Sequence, residues 1–327
     1  MPTFPEPEST PDGPAYEGRL LASADEELVE QGAGFDLGTL FSRRRILAMV
    51  GLGAGGAILA ACAPVAGALS PSSSATPSAT ASATPSASVS ATPTPTAPAY
   101  GDLTEIPDET AGPYPGDGSN GPNALTESGI VRSDLRSNIA GGGSVEGVPL
   151  QITLTIVDMA GGNIPFAGVA VYAWHCDAQG RYSMYSSGVE DQTWLRGVQV
   201  ADAEGKVTFT SIVPGCYTGR WPHVHFEVYP TVNDITNSSA AISTSQLGFP
   251  ESMFGEVYAQ STYSGSSNNL AGVTLASDNV FGEDGGVYQL ATMTGSASAG
   301  FTASLLVPVD TATAPAGGGA PGGGPRG

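Results

Sequence analysis

Apolar and polar residues alternate with a period of two over residues 148–158, where Leu150, Ile152, Leu154 and Ile156 are separated by Gln151, Thr153 and Thr155. Successive side chains of an extended chain point to opposite faces, so this run predicts a half-buried strand. Residues 169–174 predict a second strand, 206–212 a third, 222–229 a fourth, and 287–293 and 301–309 two more. A short helix fits 250–260, but no sustained 3.6-residue period appears. Short strands at regular spacing, separated by Gly, Asn and Asp turns, predict an all-β fold, a two-sheet β-sandwich, over residues 101–312.

Outside that region the alternation stops. Residues 63–100 are almost wholly Ala, Ser, Thr and Pro, and 313–327 are rich in Gly and Pro. Such segments have too little apolar surface to offset the entropy of ordering, so a stalk and a disordered tail are expected. Residues 1–42 form an acidic, Pro-containing leader that is expected to be disordered as well. Between leader and stalk, Arg43-Arg44-Arg45 precede an apolar run interrupted by glycines and too short for a spanning helix. Residues 43–62 therefore read as an export signal, with adjacent arginines of the twin-arginine kind. Leu59-Ala60-Ala61-Cys62 resembles a bacterial lipobox, which would make Cys62 a lipid anchor and the protein a cell-surface lipoprotein or extracellular; otherwise Cys62 is an ordinary small residue at the end of a signal.

Charge narrows the partners. A formal net charge of −20 excludes nucleic acid, or an anionic membrane, held by basic patches. The only membrane link expected is the anchor at Cys62, and the oligomeric state is left open.

Chemistry concentrates around residues 217–226. Two of the three histidines, His223 and His225, are two apart on an expected strand and so share a face. Tyr217 and Arg220 lie just upstream, and Tyr182 emerges from the turn after the second strand. Two phenols with two imidazoles would suit a hard trivalent ion such as Fe(III), whereas structural zinc favours thiolates and calcium favours carboxylates. On the residues alone a second reading stands beside this one: tyrosines of core and rim next to a histidine pair that binds no metal.

Six blocks in order carry a resemblance. They are Thr110-Ala111-Gly112-Pro113-Tyr114-Pro115; Val131-Arg132-Ser133-Asp134-Leu135-Arg136; Trp174-His175-Cys176-Asp177-Ala178 with Gly180-Arg181-Tyr182; Trp194-Leu195-Arg196-Gly197 with Gln199; Pro214-Gly215-Cys216-Tyr217-Thr218-Gly219-Arg220; and Pro222-His223-Val224-His225-Phe226. Together they resemble the intradiol ring-cleavage dioxygenases, the family of protocatechuate 3,4-dioxygenase and catechol 1,2-dioxygenase, in its secreted actinobacterial form. The resemblance implies a non-haem Fe(III) centre held by Tyr182, Tyr217, His223 and His225. It implies a catechol bound through both hydroxyls with displacement of Tyr217, and O₂-dependent cleavage between the hydroxyl-bearing carbons to a muconate-type diacid. It further implies that Arg220 stabilises anionic substrate character and that Gln246 stands where the family has a glutamine near the centre. Ala111 replaces a glutamate often found in the family, which leaves the preferred ring substituents open. No helical N-terminal domain of the catechol 1,2-dioxygenase kind precedes the sandwich, so its dimer interface is not expected.

The resemblance also brings Cys176 and Cys216 near the same tyrosines. They either form a disulfide, which export permits and which is the favoured reading, or remain two buried thiols. His175 is expected to pack or bond to backbone instead of ligating. The rival function, from a different class, is a metal-free β-sandwich binding or adhesion module displayed on the stalk.

Overall fold

The computed structural model describes residues 100–315, together with the backbone of three segments in the leader, β1 (Glu8–Thr10), β2 (Gly13–Tyr16) and β3 (Arg19–Leu20), which form an antiparallel meander. The rest of the leader, the signal segment with Cys62, the stalk up to residue 99 and the tail beyond 315 lie outside the described residues.

The domain is built from β4 (Pro149–Asp158), β5 (Ile164–Pro165), β6 (Ala170–Trp174), β7 (Arg196–Val200), β8 (Lys206–Ile212), β9 (His223–Tyr229), β10 (Ser243–Gly248), β11 (Thr292–Ser296) and β12 (Gly300–Val309). In one sheet β4 is central, antiparallel to β8 and parallel to β12, with β11 beyond β12 and β5 closing on the end of β4. The other sheet has the order β10-β9-β6-β7, all antiparallel. The two-sheet, all-β sandwich is the fold that the alternation predicts.

The inward faces form the main core. Leu150, Ile152, Leu154 and Ile156 of β4 belong to one buried cluster with Val171 and Ala173 of β6, Val224, Phe226 and Val228 of β9, and Phe301, Ala303, Leu305 and Val307 of β12. Each of the larger side chains among them contributes about 1.5–3 kcal/mol when taken fully out of water. A second cluster covers the other face of the β10-β9-β6-β7 sheet. There Tyr172, Trp174, Val198 and Tyr229 meet Ala111, Tyr114, Leu125 and Ile130 from the loops before β4, and Tyr182 and Tyr185 from the loop after β6. That sheet is therefore buried on both sides, and the functional residues lie on its loop-covered side.

Two strands escape the alternation argument: Ser243–Gly248 is buried throughout and so has no wet face to alternate with, and Arg196–Val200 is too short, with its first three residues buried, to show a period of two. The strand expected at 287–293 is corrected: residues 284–289 form turns, with Val287 65 % exposed, Leu290 makes a single bridge to Gly248, and the strand is Thr292–Ser296 against β12. The short helix at 250–260 is present as a 3-10 turn, Glu251–Met253, running into Phe254–Val257.

Candidate metal centre

The register of the second sheet does much of the positioning. Trp174 on β6 pairs with Arg196 on β7 and with His225 on β9, and His225 pairs with Gln246 on β10. Residues directly opposite across a ladder point to the same face. Arg196, Trp174, His225 and Gln246 thus form one row under the loops, with His223 one pleat further along opposite Gly248. His225 stacks on the Trp174 indole at 4.9 Å between ring centres and 4° between planes.

Loops supply the tyrosines. After β6 the chain turns about Asp177, whose carboxylate accepts from the backbone N–H of Gln179 and Arg181 and from the Arg181 guanidinium at 2.7–2.9 Å. Tyr182 leaves that turn and is 2 % exposed. Tyr217 comes from the segment before β9, which is pinned by Cys216 N–H to Ser266 Oγ (3.0 Å) and by Asn269 Nδ2 to Cys216 O (2.8 Å), both partners on the helix Ser266–Leu270.

All four predicted ligands converge. His223 Nε2 and His225 Nε2 are 3.1 Å apart, and Tyr217 Oη is 3.3 Å from His223 Nε2. The Tyr182 ring lies 6.0 Å from that of Tyr217 and 6.3 Å from that of His225, edge-on to both. His223 Nδ1 donates to Trp221 O, so its Nε2 carries a free lone pair directed at the other donors. Burial, then the Arg220 guanidinium, bring His223 down to about 3, and burial with the charge of His223 holds His225 well below the ordinary imidazole value. Both rings are therefore neutral, the state in which imidazole ligates.

The donor set fits a metal ion. Two neutral Nε2 atoms face each other at hydrogen-bond distance, and the Tyr182 hydroxyl is buried without a hydrogen bond of good geometry. Burial, together with the Tyr217 phenol, pushes Tyr182 well above the ordinary phenol value. A cation among these four atoms would satisfy the orphaned oxygen and reverse that shift. Among the described residues no cluster of three or more His, Cys, Asp or Glu side chains offers an alternative centre, so the tyrosines are indispensable to this one.

Arg220 is 2 % exposed and held on two sides. Nε donates to Asp278 Oδ2 (3.0 Å) and Nη2 to Gln246 Oε1 (2.7 Å), while Gln246 Nε2 donates to Thr110 O (3.1 Å). Asp278 also accepts from the N–H groups of Trp221 (2.7 Å), Val280 (2.8 Å) and Phe281 (3.1 Å). Burial pushes its carboxyl up, but Arg220 and the Trp221 N–H outweigh that and hold it below the usual carboxylate range. Arg220 and Gln246, predicted separately, are thus one hydrogen-bonded unit.

Residues 120–233 match the family model Dioxygenase_C, described as dioxygenase. The fold is also that of an intradiol ring-cleavage dioxygenase from Tetranychus urticae, at 24 % identity, with 65 % of this chain and 97 % of that one covered and a TM-score of 0.51. Residues 120–233 are thus similar to dioxygenases in sequence, and the domain shares the intradiol ring-cleavage dioxygenase fold. A further solved dioxygenase, Tetur07g02040, aligns with this domain at 23 % identity over 65 % of this chain and 97 % of that one, with a TM-score of 0.52. No curated protein matches the chain by sequence.

Some readings change once the folded domain is in view. Cys176 and Cys216 are free and buried, not a disulfide: their sulfurs point at the carbonyls of Gly215 and Arg220, at 3.6 and 3.5 Å. His175 stays out of the centre as expected, its Nδ1 bonded to Cys176 O (2.8 Å) and its Nε2 to Ser211 Oγ (2.7 Å). Asp278 was missed. The run Asp278-Asn279-Val280 signals a local turn, but nothing in it announces an arginine 58 positions away. A surface cleft of about 380 Å³ beside Gln179, Arg181 and Gln192 touches none of Tyr182, Tyr217, His223 and His225.

Proposed function

We propose that the domain is a non-haem Fe(III)-dependent enzyme that cleaves catecholic aromatics with O₂ between the two hydroxyl-bearing carbons, giving muconate-type diacids. The observation that carries this reading is the convergence of two neutral imidazole Nε2 atoms and two phenols in a buried site where the Tyr182 oxygen has no better partner. Tyr182, Tyr217, His223 and His225 would hold the ion. When bound, ferric iron supplies the redox chemistry that makes a catecholate reactive toward O₂.

The chain's own residues do the rest. Tyr182 is buried and Tyr217 only half-buried, so Tyr217 is the phenol with room to swing away as a catechol enters. Held as a phenolate, Tyr217 would on release take up a proton that a catechol hydroxyl gives up. Arg220 presents a fixed cation close enough to His223 to depress its pKa. Anionic character developing on the ring meets a charge that is already in place, with no reorganisation needed. Gln246 orients that guanidinium, and Asp278 prevents it from turning away.

Visible absorption and oxygen uptake test the reading. The iron-loaded full chain is expected to be burgundy-red from phenolate-to-Fe(III) charge transfer and to consume O₂ with catechol. A protein that stays colourless after loading and takes up no O₂ overturns it, and leaves the metal-free binding module. Export by the twin-arginine route and an anchor at Cys62 belong to the same proposal and rest on Arg43-Arg44-Arg45 and Leu59-Ala60-Ala61-Cys62. Labelled palmitate is expected in the wild type and absent from Cys62→Ser; equal labelling removes the anchor.

A further inference from the structure

Arg196 plays no part in the chemistry above, yet it is 1 % exposed and pairs with no acidic side chain among the described residues. Burying a cation costs a great deal unless its donors are satisfied. Here Nε donates to Ser183 Oγ (3.0 Å), Nη1 to Pro115 O (2.7 Å) and Tyr172 Oη (3.0 Å), and Nη2 to Tyr114 O (3.0 Å) and Ser183 O (3.0 Å). A guanidinium has five N–H groups in a rigid fork, and these contacts use every one.

Three of the acceptors are main-chain carbonyls, and they belong to two loops far apart in sequence. Ser183 directly follows the ligand Tyr182. Tyr114 and Pro115 follow Gly112, which lies against the other side of the centre: a Cβ there would sit 3.3 Å from His225 Cε1, and φ is +71°. Gly116 closes the same loop on the guanidinium, since its Cβ would be 2.7 Å from Nη1. Tyr172 Oη also donates to Pro115 O (2.7 Å), so that carbonyl is held twice. Arg196 itself stands on a strand, in the row with Trp174 and His225.

We propose that Arg196 is a positioning residue of the centre: its fork ties the Tyr182 loop to the segment 112–116 and sets the width of the space over His225. The inference rests on the reading of the tetrad as the metal centre, because only then does that space receive a catechol ring. A lysine has three donors on a tetrahedral nitrogen and cannot span both loops.

The test uses the full chain, wild type, Arg196→Lys and Tyr172→Phe, with amide hydrogen exchange measured by mass spectrometry beside kinetics and spectra. In Arg196→Lys, exchange in 112–118 and 183–186 is expected to rise together, while β4 and β12 keep their protection. The KM for catechol is expected to rise by about tenfold or more, with a shifted charge-transfer band, as loosened supporting shells produce. Tyr172→Phe, which removes one acceptor and the second hold on Pro115, is expected to fold normally, to speed exchange in 114–118 and to raise KM by about threefold. Unchanged exchange in both loops overturns the proposal. So does a uniform loss of protection across the domain with an unaltered KM for the folded fraction, which marks a merely structural arginine. If Arg196→Lys does not fold, Tyr172→Phe decides by the same criteria. Exchange is read without metal, so loops coupled through Arg196 in a wild type lacking colour and O₂ uptake would overturn the metal reading and leave the clamp.

Discussion

β4 and β9 carry the same alternation and have opposite fates. In both, one face is apolar and fills the space between the sheets: Leu150, Ile152 and Leu154 in β4, Val224, Phe226 and Val228 in β9. The polar face of β4 looks outward, with Gln151 exposed and Thr153 and Thr155 half-buried. The polar face of β9 is sealed beneath loops, with His223 2 %, His225 3 % and Glu227 0 % exposed. Glu227 shows the consequence: burial pushes its carboxyl up to about 8, and Tyr229 Oη donates to it at 2.6 Å. Alternation reveals which residues share a face. Whether that face meets water depends on what the rest of the chain lays over it, and a covered polar face is where ligands and perturbed groups collect.

The contrast is broken most severely at His225. His225→Ala is expected to lower iron affinity by more than about 100-fold, beyond the loss typical of supporting residues, and to abolish colour and turnover. Metal analysis and the visible spectrum check this. Next comes Asp278→Asn, which sets an amide N–H against the donors of Arg220 and Trp221 and breaks a buried ion pair. It is expected to cost about 3–5 kcal/mol in stability, read as a fall in the denaturant midpoint, with a lower kcat in whatever folds.

A smaller effect comes from Glu109, whose backbone N–H is bonded to Thr244 O at 2.7 Å beside β10. Burial pushes its carboxyl up from 4.5 to about 8, against the pull of Arg220 and with added repulsion from Glu283, Asp278 and Asp284. The folded state therefore keeps a proton that the unfolded chain releases in that window. Its contribution is full below the unfolded value and is lost as pH rises through about 8. Glu109→Gln is expected to flatten the fall of Tm between about pH 5 and about pH 9; an unchanged slope removes Glu109 as its source. At the bottom of the scale, Gln151→Thr on the open face of β4 is expected to shift stability by less than about 0.5 kcal/mol and to leave turnover unaltered.

Legibility followed physical type. Strands with one wet face, such as Pro149–Asp158 and Lys206–Ile212, are readable because solvent enforces their period of two. Ser243–Gly248 is covered on both faces and yields no period, although it delivers Gln246 beside His225. The four proposed ligands and Arg220 were legible through short motifs and the resemblance they carry. Asp278 and the clamping role of Arg196 were not, because their partners are backbone carbonyls and side chains brought together only by folding.

The sequence by itself determined the sheet-forming segments, the shared face of His223 and His225, and the phenol and imidazole chemistry available to a metal. Those depend on local geometry, in which each side chain's direction follows from its neighbours along the strand. Only the tertiary structure decided that this face is buried, that Tyr182 and Tyr217 reach it from separate loops, that Arg220 is held by Asp278, and that the two cysteines are buried without bonding to each other. Those outcomes rest on contacts between distant segments, and the free energy of such contacts exists only once the two sheets and their covering loops have packed.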